Sequence, residues 1–296
     1  MQWYYFVLFG AVANAFSTII SKKTLMKEHS MEFSAANSFL VFIFSLPLLF
    51  FVDININTSQ LSMIYISSSL FTMAFLYSNK AIKHMDISIV APLTTFFPVI
   101  TAVLAIIFLN ESLNFAQVIG IILLIMGAYA LERRNKKSKL MDPLKIIFKS
   151  KYIHYLFISM LFFSFTYLII SYMTNASNPN YVSPITFMLL LSAFVSFNYF
   201  IVAMLFYDGM KTYKLGLKPL TLMTMAALSI SVYRLFQIIA ISLPGSKLSL
   251  ITSLNGVYVL GVVFIGGRLF HEHNIKRKIF STIIMLVGIY LVLLTV

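Results

Sequence analysis

The sequence predicts an all-α integral membrane protein of ten transmembrane helices, arranged as two inverted five-helix repeats. Composition is the first reason: 60% of the 296 residues are hydrophobic and 10% charged, with a mean hydropathy of +0.91, whereas about a quarter of an ordinary soluble domain is charged. The second is internal repetition. Residues 79–130, shifted by 161 positions, lie without a gap on residues 240–291, with identities at Ser88/Ser249, Leu93/Leu254, Glu111/Glu272, Ile122/Ile283, Gly127/Gly288 and Tyr129/Tyr290. Both copies share a layout of an apolar run, a single Glu and a second apolar run broken by one Gly, the mark of a duplicated membrane unit. Third, twenty of the 22 Lys and Arg residues fall in alternate loops.

About 20 predominantly apolar residues cross a hydrocarbon core of about 30 Å, and ten stretches qualify: 3–21, 35–52, 61–82, 87–109, 115–132, 153–174, 182–207, 219–243, 248–267 and 279–296. The first is no signal peptide, since Met1-Gln2-Trp3-Tyr4 carries no basic residue and no small-residue cleavage site follows. Residues 1–134 make the first unit, 135–150 a basic cytoplasmic linker and 151–296 the second unit. Because five is odd, the second unit enters from the opposite side, a design that places a substrate site at the midplane and supports alternating access.

The odd loops hold the positive charge, including the run from Arg133 to Lys151, and the even loops hold only Lys247. Lys and Arg concentrate on cytoplasmic loops, so both termini are expected outside a bacterial or archaeal cell (inner) membrane. The net charge of +13 is therefore an orientation signal with membrane lipids as neighbours, and no nucleic-acid partner is expected. With no Cys, disulfides and thiolate metal sites are excluded.

Polar residues mark the spans that could line a cavity. Gly10, Asn14, Ser17 and Ser21 form a narrow stripe on span 1. Span 3 carries Ser67, Ser68, Ser69, Thr72, Tyr77 and Asn79, and span 4 carries Thr94, Thr95 and Thr101 with Pro92 and Pro98. Thr186, Ser192 and Asn198 lie on span 7, Thr224, Ser231, Tyr233, Arg234 and Gln237 on span 8, and Thr252, Ser253 and Asn255 on span 9. For Ser and Thr the simpler role is packing between helices. Spans 5 and 10, nearly pure aliphatic and Phe, read as outer supports.

Arg234 is the sharpest signal. It sits about 13 Å from the outer end of its span at 1.5 Å per residue, and a charge at such depth costs at least ~2.5 kcal/mol, so it faces the bundle interior or water. The nine acidic residues all fall in loops or at span ends. Arg234 thus lacks a charged partner at its own depth, which leaves that place to a substrate phosphate or carboxylate. A proton relay on a buried carboxylate is not expected, nor is an ATP-driven pump, since the chain has no phosphate-binding Gly-rich loop. His271-Glu272-His273 does not have the spacing of a helical zinc site. No metal, cofactor or catalytic residue is expected, and the protein is expected not to be an enzyme.

Ala81-Ile82-Lys83, Ser88, Pro98, Leu109-Asn110-Glu111, Gly120 and Gly127, with their echoes Ser249, Glu272 and Gly288, resemble the repeat of the EamA-type branch of the drug/metabolite transporter superfamily. The resemblance implies an alternating-access transporter in which spans 1–4 and 6–9 surround the cavity and spans 5 and 10 pack outside. It also implies cytoplasmic termini, against the loop charge. Glu111 and Glu272 have no derivable transport chemistry and are expected to organise tight hairpins, with Asn110 and Asn114 capping helix ends.

The function expected is secondary transport of a small polar metabolite, an organic anion or zwitterion, without an ATP or proton requirement built from these residues. Arg234 would bind the anionic group, and Gln237, Asn255, Asn14 and Asn198 would supply hydrogen bonds, with Tyr233 and Tyr77 behind them. Two alternatives stay open: a flippase for a lipid-linked (polyprenyl phosphate) sugar, and a membrane-embedded transferase. The second would need a mid-span acid or base that the sequence lacks.

Overall fold

The computed structural model describes residues 2–25, 28–52, 55–85, 94, 96–132, 151–206, 217–258, 260–261 and 275–293. Among these there is no strand. The α-helices are α1 (Trp3–Leu25), α2 (Ser30–Ser45), α3 (Thr58–His84), α4 (Phe97–Leu109), α5 (Phe115–Glu132), α6 (Lys151–Met173), α7 (Pro184–Phe206), α8 (Leu217–Ser242), α9 (Leu248–Asn255) and α10 (Ile275–Leu293), and a 3-10 turn, Leu46–Phe51, extends α2. Six segments are long and apolar enough to cross a membrane: Trp3–Leu25, Ser30–Phe51, Thr58–His84, Lys151–Met173, Pro184–Phe206 and Leu220–Ser242. Three shorter apolar helices accompany them, Phe97–Leu109, Phe115–Gly127 and Ile283–Val292. The linker 135–150 lies outside the described residues, as do Ser88, Pro92, Thr95, the His271-Glu272-His273 cluster and the acidic residues Asp53, Asp86, Asp142 and Asp208.

Local chemistry sets the helix ends. Asn57 and Gln60 form a reciprocal capping box that starts α3 at Thr58, three residues before the apolar run the sequence marks. His29 and Glu32 do the same for α2, five residues ahead of the predicted span. Pro47 then tightens the end of α2 into the 3-10 turn, because its ring removes an amide donor. Between α4 and α5, Asn110 takes the left-handed conformation that ends a helix (φ 53°), and Asn114 exchanges bonds of 2.9 and 3.1 Å with Gln117 at the start of α5. Both asparagines thus cap, as their positions suggest.

Burial is that of a bundle with lipid around it. On α1 the stripe Val7, Gly10, Ala11, Ala15 and Ser17 is buried, while Tyr5, Phe9, Val12 and Phe16 are exposed at helical spacing. The apolar side faces out and small residues face in, the reverse of a soluble helix.

The helices pack in reciprocal pairs. α1 lies on α8 and α3 on α6; α2 meets both α7 and α8, and α3 meets α7; α4 meets α6, as α1 meets α9. Exchanging helix n with n+5 turns α1·α8 into α6·α3, α2·α8 into α7·α3 and α1·α9 into α6·α4, and leaves α2·α7, α4·α9 and α5·α10 in place. Hydrogen bonds and ring contacts fix two faces. Lys83 at the end of α3 donates to the Glu28 carbonyl (3.1 Å) and His84 stacks on Tyr152 at the start of α6 (4.6 Å), which together define an odd-loop face. On the opposite, even-loop face, Gln60 at the start of α3 donates to the Tyr181 carbonyl (3.0 Å).

α5 and α10 cross at two glycines. A Cβ on Gly120 would stand 2.8 Å from the Gly288 carbonyl oxygen, and one on Gly288 would stand 2.9 Å from that of Gly120. Backbone meets backbone here, so these two helices form a tightly packed pair.

Candidate functional site

A cavity of about 310 Å³ lies between α1, α3, α4, α5, α6, α8 and α9, at the small end of the range for sites that enclose a metabolite. Leu124 and Ile125 of α5 line it, so α5 is not solely the outer support expected from its composition. Its wall takes in Lys22, Leu25 and Ile82 near the odd-loop face and reaches inward to Tyr233, Arg234 and Asn255. α1 supplies Asn14, Ser17, Thr18 and Ser21, the stripe that made its inner side polar. Phe71 and Phe75 come from α3, Phe163 and Tyr167 from α6, and Thr252 and Ser253 from α9.

Arg234 is 9% exposed and lies about 12 Å from the end of α8 at Ser242, taking 1.5 Å per residue. Its guanidinium sits over the ring of Phe71, 4.3 Å from the centroid. A cation over an aromatic face gains about 0.5–2 kcal/mol, less than the ~2.5–3.5 kcal/mol that a charged side chain costs at mid-span. Among the described residues no hydrogen bond or ion pair completes the balance. Among the described residues no carboxylate is present in the cavity wall. The guanidinium therefore offers planar donors and uncompensated charge to whatever enters.

Beside it runs a short polar chain. Asn255 Nδ2 donates to the Tyr233 hydroxyl (2.8 Å), and Tyr233 shares a hydrogen bond of 3.3 Å with the Tyr167 hydroxyl. Asn255 Oδ1 is buried without a partner, so this end of the chain keeps an open acceptor. Asn255 holds that position because α9 stops there. After it, Gly256, Val257 and Leu260 bond three residues back (3.1, 3.1 and 2.9 Å) instead of four, so the apolar stretch 248–267 is not one continuous helix at this point. Interrupted helices of this kind occur in membrane proteins where backbone lines a cavity.

Of the residues singled out in the sequence, Arg234, Asn255, Asn14 and Tyr233 come together in the cavity wall. Three lie elsewhere. Asn198 bridges α7 to α3 through Ser68, Ser69 and Thr72 (3.3, 3.5 and 3.4 Å). Tyr77 stacks on Tyr155 with ring centroids 5.3 Å apart. Gln237 is buried with both amide atoms unpartnered. Phe71, Tyr167 and Lys22 were not foreseen as site residues. Several hydroxyls serve packing: Ser45 and Ser192 join α2 to α7 (2.7 Å), and Thr101 and Ser164 join α4 to α6 (2.8 Å).

Comparison with known proteins gives likenesses of three kinds. Residues 1–132 match the EamA-like transporter family. A protein of Methanocaldococcus jannaschii described as uncharacterized is 39% identical over 74 residues, which make up 25% of this chain and 50% of that relative's length. A solved crystal structure superposes with a TM-score of 0.70 over 98% of this chain and 96% of the other, at 12% identity. A likeness at that identity speaks for the fold alone.

Proposed function

We infer, from a membrane chain whose residues 1–132 match the EamA-like transporter family, that this protein is a secondary transporter of a small organic anion, working by alternating access. The observation that carries the cargo is Arg234. It is a buried guanidinium on the wall of a cavity to which the described residues bring no carboxylate. An incoming carboxylate or phosphate supplies the missing counter-charge through charge-assisted hydrogen bonds. Asn255 Oδ1, the Tyr233–Tyr167 pair and Asn14 then bind polar groups on the solute, and Phe163 gives its body an apolar wall. A zwitterion fits less well, because its ammonium group would find amide oxygen and ring faces but no acid.

The reciprocal packing of helices n and n+5 supports two inverted five-helix units. α3 runs from the even-loop to the odd-loop face while α8 runs back, since α8 ends just before Lys247, which bonds the Ser112 carbonyl in the α4–α5 turn. Units related in this way can rock about a shared midplane site. With no carboxylate among the described residues of the cavity wall, exchange of one solute for another or facilitated diffusion is the simplest energetics.

Purified protein and the Arg234→Gln variant, melted with phosphorylated, carboxylated, quaternary-amine and lipid-linked solutes, test this reading. Saturation at a hundredfold excess over Kd stabilises a fold by about 2.7 kcal/mol. The expected result is that an anion raises the melting temperature of wild type and leaves Arg234→Gln unmoved. Stabilisation by a cation alone, equal in both proteins, would overturn it, and a response confined to lipid-linked phosphates would turn the reading toward a flippase.

A further inference from the structure

α9 is an eight-residue helix with every residue buried, and its N-cap, Lys247, makes no side-chain capping bond. The first amides of a helix have no partner within it and must find one elsewhere. Here the partner comes from the other half of the chain. Glu111, in the turn between α4 and α5, accepts from the Leu248 amide, the Ser249 amide and the Ser249 hydroxyl. Lys247 answers by donating to the Ser112 carbonyl. A carboxylate at the positive end of a helix is also favoured by the helix dipole.

The far end of α9 is the cavity wall, where Thr252, Ser253 and Asn255 stand. From Leu248 to Asn255 is about 10 Å at 1.5 Å per residue, too short a rod to bend much. What holds its first turn therefore places its last. The cavity wall includes residues near the odd-loop face and none from the α4–α5 or α8–α9 turns, so the Glu111 contact sits on the sealed side.

We propose that Glu111 is a positioning residue for transport: it holds α9 against the α4–α5 turn, closing the cavity to the even-loop face, and its release of α9 opens the cavity to that face. The inference rests on the transporter reading but not on the solute. Glu111→Gln leaves one acceptor oxygen for three donors, and Ser249→Ala removes one donor while keeping the carboxylate.

The experiment introduces Thr252→Cys into the naturally cysteine-free chain and measures its labelling rate by a membrane-impermeant thiol reagent added to either face of reconstituted vesicles, with no solute present. Adding Glu111→Gln is expected to raise even-face labelling about tenfold, the effect of losing hydrogen bonds to a charged acceptor, with odd-face labelling unchanged. Ser249→Ala is expected to give a smaller rise in the same direction, and Glu111→Asp to fall between wild type and Glu111→Gln. If Glu111→Gln fails to fold, Ser249→Ala and Glu111→Asp decide. Unchanged even-face labelling in the folded variants, or an equal rise at both faces, overturns the proposal. Because no solute takes part, failure to find an anion ligand for Arg234 would leave this result standing.

Discussion

At the residue scale the site is a guanidinium lying on a ring. The Phe71 ring lies against Arg234 with its centroid 4.3 Å from the guanidinium carbon, a contact that favours the charged group before a solute arrives. Phe71→Leu keeps the wall apolar but removes the quadrupole, and is expected to weaken anion binding by about 0.5–2 kcal/mol, a 2- to 30-fold rise in Kd by titration calorimetry. An unchanged Kd would mean that Phe71 is packing alone. Arg234 was legible because one charge in an apolar span has few explanations. Phe71 was not, being one of 29 Phe residues and 163 positions from its partner. Asn198 was equally conspicuous in sequence, yet its amide is turned toward the hydroxyls of α3. Polarity in a span identifies an inward side chain without saying whether it meets a neighbour or the cavity.

At the element scale the α5–α10 crossing is the most tightly constrained contact. The atoms opposite Gly120 and Gly288 include backbone carbonyl oxygens, which cannot rotate away as a side chain could. Overpacking of a filled interface costs about 1–3 kcal/mol, and Gly120→Leu is expected at or beyond the upper end. A melting experiment on the variant in detergent checks this, and an unchanged melting temperature would show that the two helices can part freely. Gly288 was visible in sequence as the break in its apolar run, and Gly120 as one of the residues that carry the family resemblance. Their facing one another was not, since 168 positions separate them. The end of α9 at Asn255 was likewise hidden, because Gly256 and Gly261 sit in a stretch whose hydropathy reads as one span.

On the scale of the whole molecule, the packing scheme and the loop charge make separate claims. Reciprocal pairing of helices n and n+5 says nothing of insertion direction, which follows from where Lys and Arg lie. The charge bias puts the odd loops in the cytoplasm and Ser59, exposed at the start of α3, outside. Ser59→Cys is therefore expected to react with an impermeant thiol reagent on intact cells, and His84→Cys after permeabilisation alone. The opposite pattern would place both termini in the cytoplasm, as the family resemblance implies. In either case the Glu111 contact and the cavity lie toward opposite faces, so sidedness also decides which compartment this conformation serves.

The sequence by itself determined the membrane class, the likeness of residues 79–130 to 240–291, the polar stripe of α1 and the solitary Arg234, since each follows from local composition or from a comparison that needs no folding to be seen. Caps such as Asn57 with Gln60 were equally local. Tertiary structure decided which polar groups meet: Arg234 with Phe71, Asn255 with Tyr233, Glu111 with the first turn of α9, Asn198 with α3. The reason is range. Helix formation is driven within a few residues, whereas in an apolar bundle the pairing of distant side chains depends on the rotation and depth of whole helices, which small residues such as Gly120 and Gly288 fix by close contact rather than by any pattern of their own.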